Sequence, residues 1–280
     1  QEGNWYYDST DTTTADNTGT VLVTLDGKRI KRVISSELNV KWFGAKGDSA
    51  TDDKTFIQNT IAAATVSGKG VFIPSGTYRI TGTLTLNLKS SIRGEGRDLT
   101  ILKLANGAGS KMISLSSTAA YSISLSDFTL DANKTNNPTA NGNTLDIVTD
   151  FGSVDAKHII ERVTIKETRG TAMNVSGRGD STYKDILILE CVNKGLLIDC
   201  WDSTFTNIVI GHCQGGAIDI TKSNNRLIGV KVWGSDYGIN DSGSNTNAST
   251  IDIQDCYQYG LRLNASYQLY SGVNVDAIGY

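Results

Sequence analysis

"ILILECVNKGLLI", residues 186–198, is a pair of short apolar runs separated by a polar turn, and "IVIGHCQGGAIDI" (208–220) repeats the pattern 22 residues later. The same frame fits "VTIKETRGTAMNV" (163–175) and "IDIQDCYQYGLRL" (251–263). In all four stretches of thirteen residues, positions 1, 3, 6, 11 and 13 are apolar or small. The starts fall 23, 22 and 43 residues apart, the last interval holding two coils with "VKVWGSDYGIND" (230–241) between them. Alternation with period 2 inside each run is the mark of a strand, and the interval is too short for a strand plus a packed helix. The Leu-x-x-Leu-x-Leu-x-x-Asn pattern of the competing solenoid of similar period is absent. A coil of about 22 residues made only of strands and turns predicts an all-β fold, a parallel β-helix whose inward side chains stack in columns about 4.8 Å apart. Thr168, Cys191, Cys213 and Cys256 form one such column, Met173, Leu196, Ile218 and Leu261 a second, and Val175, Ile198, Ile220 and Leu263 a third.

Composition fits this reading. The 280 residues are 39% hydrophobic, enough for a large core, and no run approaches the roughly 20 apolar residues of a membrane-spanning helix. With a formal net charge of −3 and dispersed basic residues, the chain lacks the clustered positive field that nucleic acid or anionic lipid requires. Two prolines and 29 glycines suit tight turns between short strands. The start, "QEGNWYY", carries no targeting signal. The four cysteines read as buried thiols rather than a disulfide framework, because a chain of this size does not need staples. Cys191 and Cys213 stack in parallel and do not point at each other as a bridge requires. No Cys-x-x-Cys spacing marks a metal site, and no cofactor motif is present.

Ahead of the repeats, "LNVKWFGAKGDSATDDKTFIQNTIAAA" (38–64), "GKGVFIPSGTYRITGTLTL" (68–86) and "SSIRGEGRDLTILKL" (90–104) resemble the opening of the pectate-lyase-like right-handed parallel β-helix family. With "NWYYDSTDTTTADNTGTVLVTLDGKRIKRV" before it, the region is similar to bacteriophage tailspike and appendage proteins. The residues agree independently. Asp52 is placed to cap a helix starting at Asp53 whose Phe56, Ile57, Ile61 and Ala64 make one apolar face, suited to covering the open end of a solenoid. Asp52 and Asp53 are therefore structural, not a hydrolase pair. Gly68, Gly70, Gly76 and Gly94 mark turns of the first coils. Residues 1–37 read as a polar arm and a hairpin turning at Asp26-Gly27, which the resemblance casts as a link to an attachment region upstream. Residues 38–280 read as the β-helix, expected to continue beyond "GVNVDAIGY" (272–280) into further coils and a trimerisation region.

The bend between inward positions 3 and 6 projects two outward columns. One holds Lys166, Leu189, Gly211, Trp233 and Gln254; its neighbour holds Glu167, Glu190, His212, Gly234 and Asp255. Carboxylates for proton transfer beside an aromatic face for stacking on a pyranose make this the candidate glycan groove. Glu167 and Glu190 are expected about 5 Å apart, the spacing of a retaining glycosidase, with mutual repulsion raising one pKa. His212 is a candidate for binding the sugar, its alternative role being to neutralise Glu190, and Trp233 is expected to stack on a sugar two coils from Glu190. A further outward line, Asn174, Leu197, Asp219 and Arg262, offers hydroxyl binding and Asp219 as a partner acid. Asp199, Asp202 and Trp201 are turn candidates of lower weight, and the polar stretch 130–143 is read as a surface loop at the groove rim. The competing reading of all these residues is a solvated polar edge. "GHC" at 211–213 is similar to the Gly-His-Gly of polygalacturonases, but the acidic coils that should precede it are missing, as is the calcium cluster of pectate lyases.

The resemblance implies a phage tailspike or appendage, homotrimeric when intact and joined to other virion proteins through its N-terminal side. It would act outside the host on capsule, O-antigen or wall teichoic acid, with hydrolysis expected before lyase chemistry. A binding-only spike and a secreted pectate-lyase-like enzyme are the alternatives.

Overall fold

In a computed structural model the chain is a right-handed parallel β-helix of about nine turns, with one α-helix among the described residues. Described are residues 3–86, 89–109, 111–117, 122–138, 142–149, 157–177 and 179–278. Parts of the 130–143 loop (139–141) and of both termini (1–2, 279–280) lie outside them. One parallel sheet runs from Asp48–Asp52 through Ile159–Thr168, Thr182–Cys191 and Thr204–Cys213 to Leu269–Ile278. A second runs from Leu84–Thr85 to Tyr259–Leu263. The expected register holds: Thr168 pairs with Cys191 and Cys191 with Cys213, while Met173, Leu196 and Ile218 stack in sequence. All four cysteines are buried and free. Burying each large aliphatic side chain in such a column contributes about 1.5–3 kcal/mol, and identical spacing lets successive coils reuse the same contacts.

The coil at 230–241 departs from the columns. It is one residue shorter, so Ile239 follows Ile218 but Asp241 enters the third column between Ile220 and Leu263. Asp241 is wholly buried and accepts hydrogen bonds from Gly243 N (2.8 Å) and Tyr270 Oη (3.0 Å); burial raises its pKa.

Each coil turns its corners with left-handed residues stacked one above another. One corner stacks Glu167, Glu190, His212, Gly234 and Asp255, with φ between 50° and 61°. A second stacks Asp127, Arg162, Asp185, Asn207, Gly229 and Thr250, and a third Asp202, Asn224, Asn245 and Tyr267. Such a backbone costs a residue other than glycine about 1–2 kcal/mol, so these bends are held by the coils on either side. At the third corner Asn224 donates to Asp202 (3.0 Å) and Asn245 to Asn224 (3.1 Å), a ladder that satisfies polar groups along the axis.

At the N-terminal end the helix Lys54–Ser67 buries Ile57, Thr60, Ile61 and Ala64 and ends at the left-handed Gly68. Its cap differs from expectation: Asp53 occupies the N-cap position, but its fully buried carboxylate accepts from Lys46 N (2.7 Å) and Gly47 N (3.0 Å). Asp52 bonds Lys54 N (3.2 Å) and ties the helix to Thr81 of the next coil. The hairpin Val21–Val23/Arg29–Arg32 gains a third strand, Trp5–Asp8, within the stretch expected to be a polar arm. Arg32 joins this sheet to the solenoid, its guanidinium carbon 4.3 Å from the ring centroids of both Trp5 and Trp42.

Candidate functional site

The register sets the outward columns where the sequence placed them: Lys166, Leu189, Gly211, Trp233 and Gln254 are successive partners, and the neighbouring corner carries Glu167, Glu190, His212 and Asp255. Because the corner residues are left-handed, their side chains splay from the edge of the sheet toward solvent. Between this corner and the Arg162–Asp185–Asn207 corner lies a strip of sheet whose floor is Leu187, Leu189, Val209 and Trp233, all partly exposed.

Glu167 and Glu190 are on adjacent coils, but they do not simply repel. Lys134 places its ammonium 3.0 Å from Glu190 Oε2 and 3.7 Å from Glu167 Oε2, and it also donates to the Glu190 carbonyl (3.1 Å). Its backbone is fixed as well: Lys134 N donates to Glu167 O (2.9 Å) and Arg169 Nε to Lys134 O (3.2 Å). The loop read as a rim thus supplies the counter-charge, and His212 does not. Lys134 escaped sequence reasoning because it lies 56 residues from Glu190 and outside the repeat frame. The only available signal was a lysine in a loop next to an acidic column.

His212 instead accepts a hydrogen bond at Nε2 from Trp233 Nε1 (3.2 Å), which puts the imidazole proton on Nδ1, and the two rings meet edge to face at 6.1 Å. The indole lies back over Gly211, where an added Cβ would stand 2.4 Å from it; His212 in turn lies over Gly234. Trp233 therefore covers the floor one coil closer to Glu190 than its sequence position implies, about 5 Å rather than about 10 Å along the axis.

The other candidates are elsewhere. Asp255 is exposed on the same corner, three coils beyond Glu190 or about 14 Å. Asp219 sits on the outward line of the second sheet, with Asn240 now placed between it and Arg262. It is only 5% exposed because Lys194 forms an ion pair with it and Tyr237 Oη (2.8 Å) and Asn240 Nδ2 (3.3 Å) donate to it. Tyr237 stacks on Tyr259 at 5.1 Å, and the Arg262 guanidinium approaches Tyr259 at 5.9 Å. Trp201 is covered by Lys222 at 5.0 Å. Asp199 accepts from Ser176 and Thr221, and Asp202 belongs to the corner ladder. The structure brings together Glu167, Glu190, His212 and Trp233, with Lys134 added, and separates them from Asp219, Arg262 and Trp201.

Residues 38–262 match the family described as rhamnogalacturonase A/epimerase, pectate lyase-like, so the chain belongs to that family of β-helices. Residues 1–35 match the phage tail protein small four-stranded β-sheet domain. Alginate lyase 7 of Azotobacter vinelandii is 35% identical over 144 residues, 47% of this chain and 17% of that protein. The pre-neck appendage protein of Bacillus phage phi29 is 25% identical over 238 residues, 82% of this chain and 24% of the appendage. This chain thus spans a quarter or less of the length of either relative. Tailspike protein 2 of the Escherichia coli O157:H7 bacteriophage CAB120 has the same fold, with a TM-score of 0.76 at 19% identity over 99% of this chain and 42% of that one. The resemblance carried by residues 4–104 extends through the repeat coils.

Proposed function

We propose that this chain is the β-helical part of a phage tail appendage that binds a polysaccharide of the bacterial surface and cleaves it at the corner formed by Glu167 and Glu190. The carrying observation is the pair of carboxylates on adjacent coils, held by one lysine at the edge of a strip floored by Trp233 and aliphatic side chains. A strand spacing of about 4.8 Å is close to the roughly 5–5.5 Å at which one carboxylate attacks the anomeric carbon while the other protonates the leaving oxygen. The phage tail domain match over residues 1–35 and the similarity to the phi29 appendage protein support the virion setting; the similarity to an alginate lyase supports a glycan as ligand.

Purified capsules, O-antigens and wall teichoic acids incubated with the protein supply the test. Chain shortening with new reducing ends indicates hydrolysis; an unsaturated uronic acid indicates β-elimination. Glu167→Gln and Glu190→Gln keep shape and remove ionisation, so each should lose more than about 100-fold in turnover while retaining affinity. Wild-type rates in both variants would remove this corner from the chemistry. Lys134 favours one second reading, a spike that binds without turnover, since it leaves the pair already matched by a cation; retention of a polymer with no shortening would support it.

A further inference from the structure

The geometry points to Arg97 and Lys166 as an anion-binding pair at the N-terminal end of the strip, selecting glycans whose repeat carries a carboxylate or phosphate. The inference rests on the glycan reading above and specifies its substrate class.

Arg97 comes from the turn between two early strands. Its carbonyl accepts from Thr129 Oγ1 (2.5 Å) on the next coil, and its side chain runs along the axis to donate from Nη1 to Asp185 O (3.2 Å), three coils beyond the strands that flank Arg97. On the two coils between, Thr129 and outward-facing Thr164 are only 3% and 8% exposed. The guanidinium therefore stands at the Asp185 corner, two residues before Leu187 on that strand. It offers five N–H donors and spends one, on a carbonyl.

Asp127 and Asp185, the acids of the corner that Arg97 crosses, are committed to other partners. Asp127 forms a two-pronged pair with Arg162 (2.6 and 2.9 Å), which also holds Glu161 (2.6 Å). The Asp185 carboxylate accepts from Asn207 (2.6 Å) and faces Lys184 at 3.9 Å. Among the described residues, no carboxylate oxygen lies within 4.0 Å of the Arg97 nitrogens. Lys166 repeats the situation on the second of the coils that Arg97 crosses. It is two residues along the strand from Thr164 and one coil before Leu189, and its neighbour Asp131 is paired instead with Lys103 at 3.6 Å. No described carboxylate lies within 4.0 Å of its ammonium.

Two cations without carboxylate partners therefore border the same aliphatic floor, Arg97 at its Asp185 edge and Lys166 beside the Glu167 corner, where Lys134 is fully engaged. A planar guanidinium and a flexible ammonium are suited to an oxyanion, which charge-assisted hydrogen bonds hold more strongly than a hydroxyl. A sugar ring lying on Leu187 and Leu189 with its acidic substituent toward the N-terminal end would present the adjoining linkage to Glu190.

The probes are the polysaccharides that the wild-type protein retains. Each uronate polymer is paired with its carboxyl-reduced form, and poly(glycerol phosphate) serves as the phosphate arm. The expected result is that only acidic polymers are retained, and that carboxyl reduction raises Kd about tenfold or more. Arg97→Gln and Lys166→Gln should raise Kd or KM for the native polymer by a similar factor with kcat little changed, and should narrow the gap between native and reduced forms. Arg97→Lys should recover part of the loss. Retention of poly(glycerol phosphate) alone identifies phosphate as the anion; retention of uronate polymers alone identifies carboxylate. A neutral polymer bound as tightly as the acidic ones, or Gln variants that keep the wild-type preference, would overturn the assignment while leaving the glycan reading intact. Retention of no polymer at all would overturn both.

Discussion

Gly211→Ala isolates the packing that brings Trp233 onto the groove floor. The new Cβ would lie 2.4 Å from Cε2 and Cζ2 of the indole and 2.9 Å from Nε1, against ordinary carbon contacts of about 3.5–4.0 Å, so the ring must leave the column. Gly211 sits in an ordinary strand, so alanine itself strains nothing. Displacing the ring breaks the Trp233–His212 hydrogen bond and the edge-to-face contact, each worth about 0.5–1.5 kcal/mol. Because His212 is exposed and Trp233 partly so, a combined loss of about 1–2 kcal/mol is expected. In a Trp233→Ala background the same substitution meets no ring. There it should be neutral, or stabilising by about 0.4–1 kcal/mol, because alanine restricts the unfolded chain. Urea unfolding of wild type, both single variants and the double variant gives the coupling energy directly. Gly211→Ala should also weaken glycan retention about as much as Trp233→Ala does. A coupling energy near zero would refute the placement of the indole over Gly211.

Cys191, Cys200, Cys213 and Cys256 should resist thiol reagents in the native protein and react after denaturation, since all are buried and burial pushes the Cys200 thiol up to about 12; rapid labelling of all four would place the inward columns one residue out of register. His158 is buried, with its Nε2 unpartnered and its pKa pushed down to about 4 by desolvation. Below about pH 6.5 the unfolded chain binds a proton that the folded one refuses, so stability should be full above that pH and fall by about 3 kcal/mol in all as pH drops toward 4. Urea midpoints across this range should show the slope, His158→Asn should flatten it, and an unchanged slope would mean that the imidazole is not buried neutral. Light scattering should detect a weak, concentration-dependent trimer, and a strict monomer at high concentration would count against association through these coils.

The repeat determines most of the fold. Period-2 alternation and a coil of about 22 residues are local signals repeated many times, and in-register stacking converts them into the columns of Cys191, Leu196 and Ile198 with their partners. The sequence also locates the corner that carries Glu167, Glu190 and His212, since every residue between two inward positions must project outward. What each of these side chains meets is decided by neighbours one coil away or more. Lys134 crosses from a loop outside the repeat, and Trp233 folds over Gly211 because glycine leaves room there. Lys194 and Tyr237 close over Asp219, taking it out of solvent. Asp241 turns into the core because its coil is one residue short, which the period conceals until strands are paired. Sequence periodicity specifies which way a side chain points; the space left by adjacent coils, and the charges that loops carry into it, decide what that side chain can do.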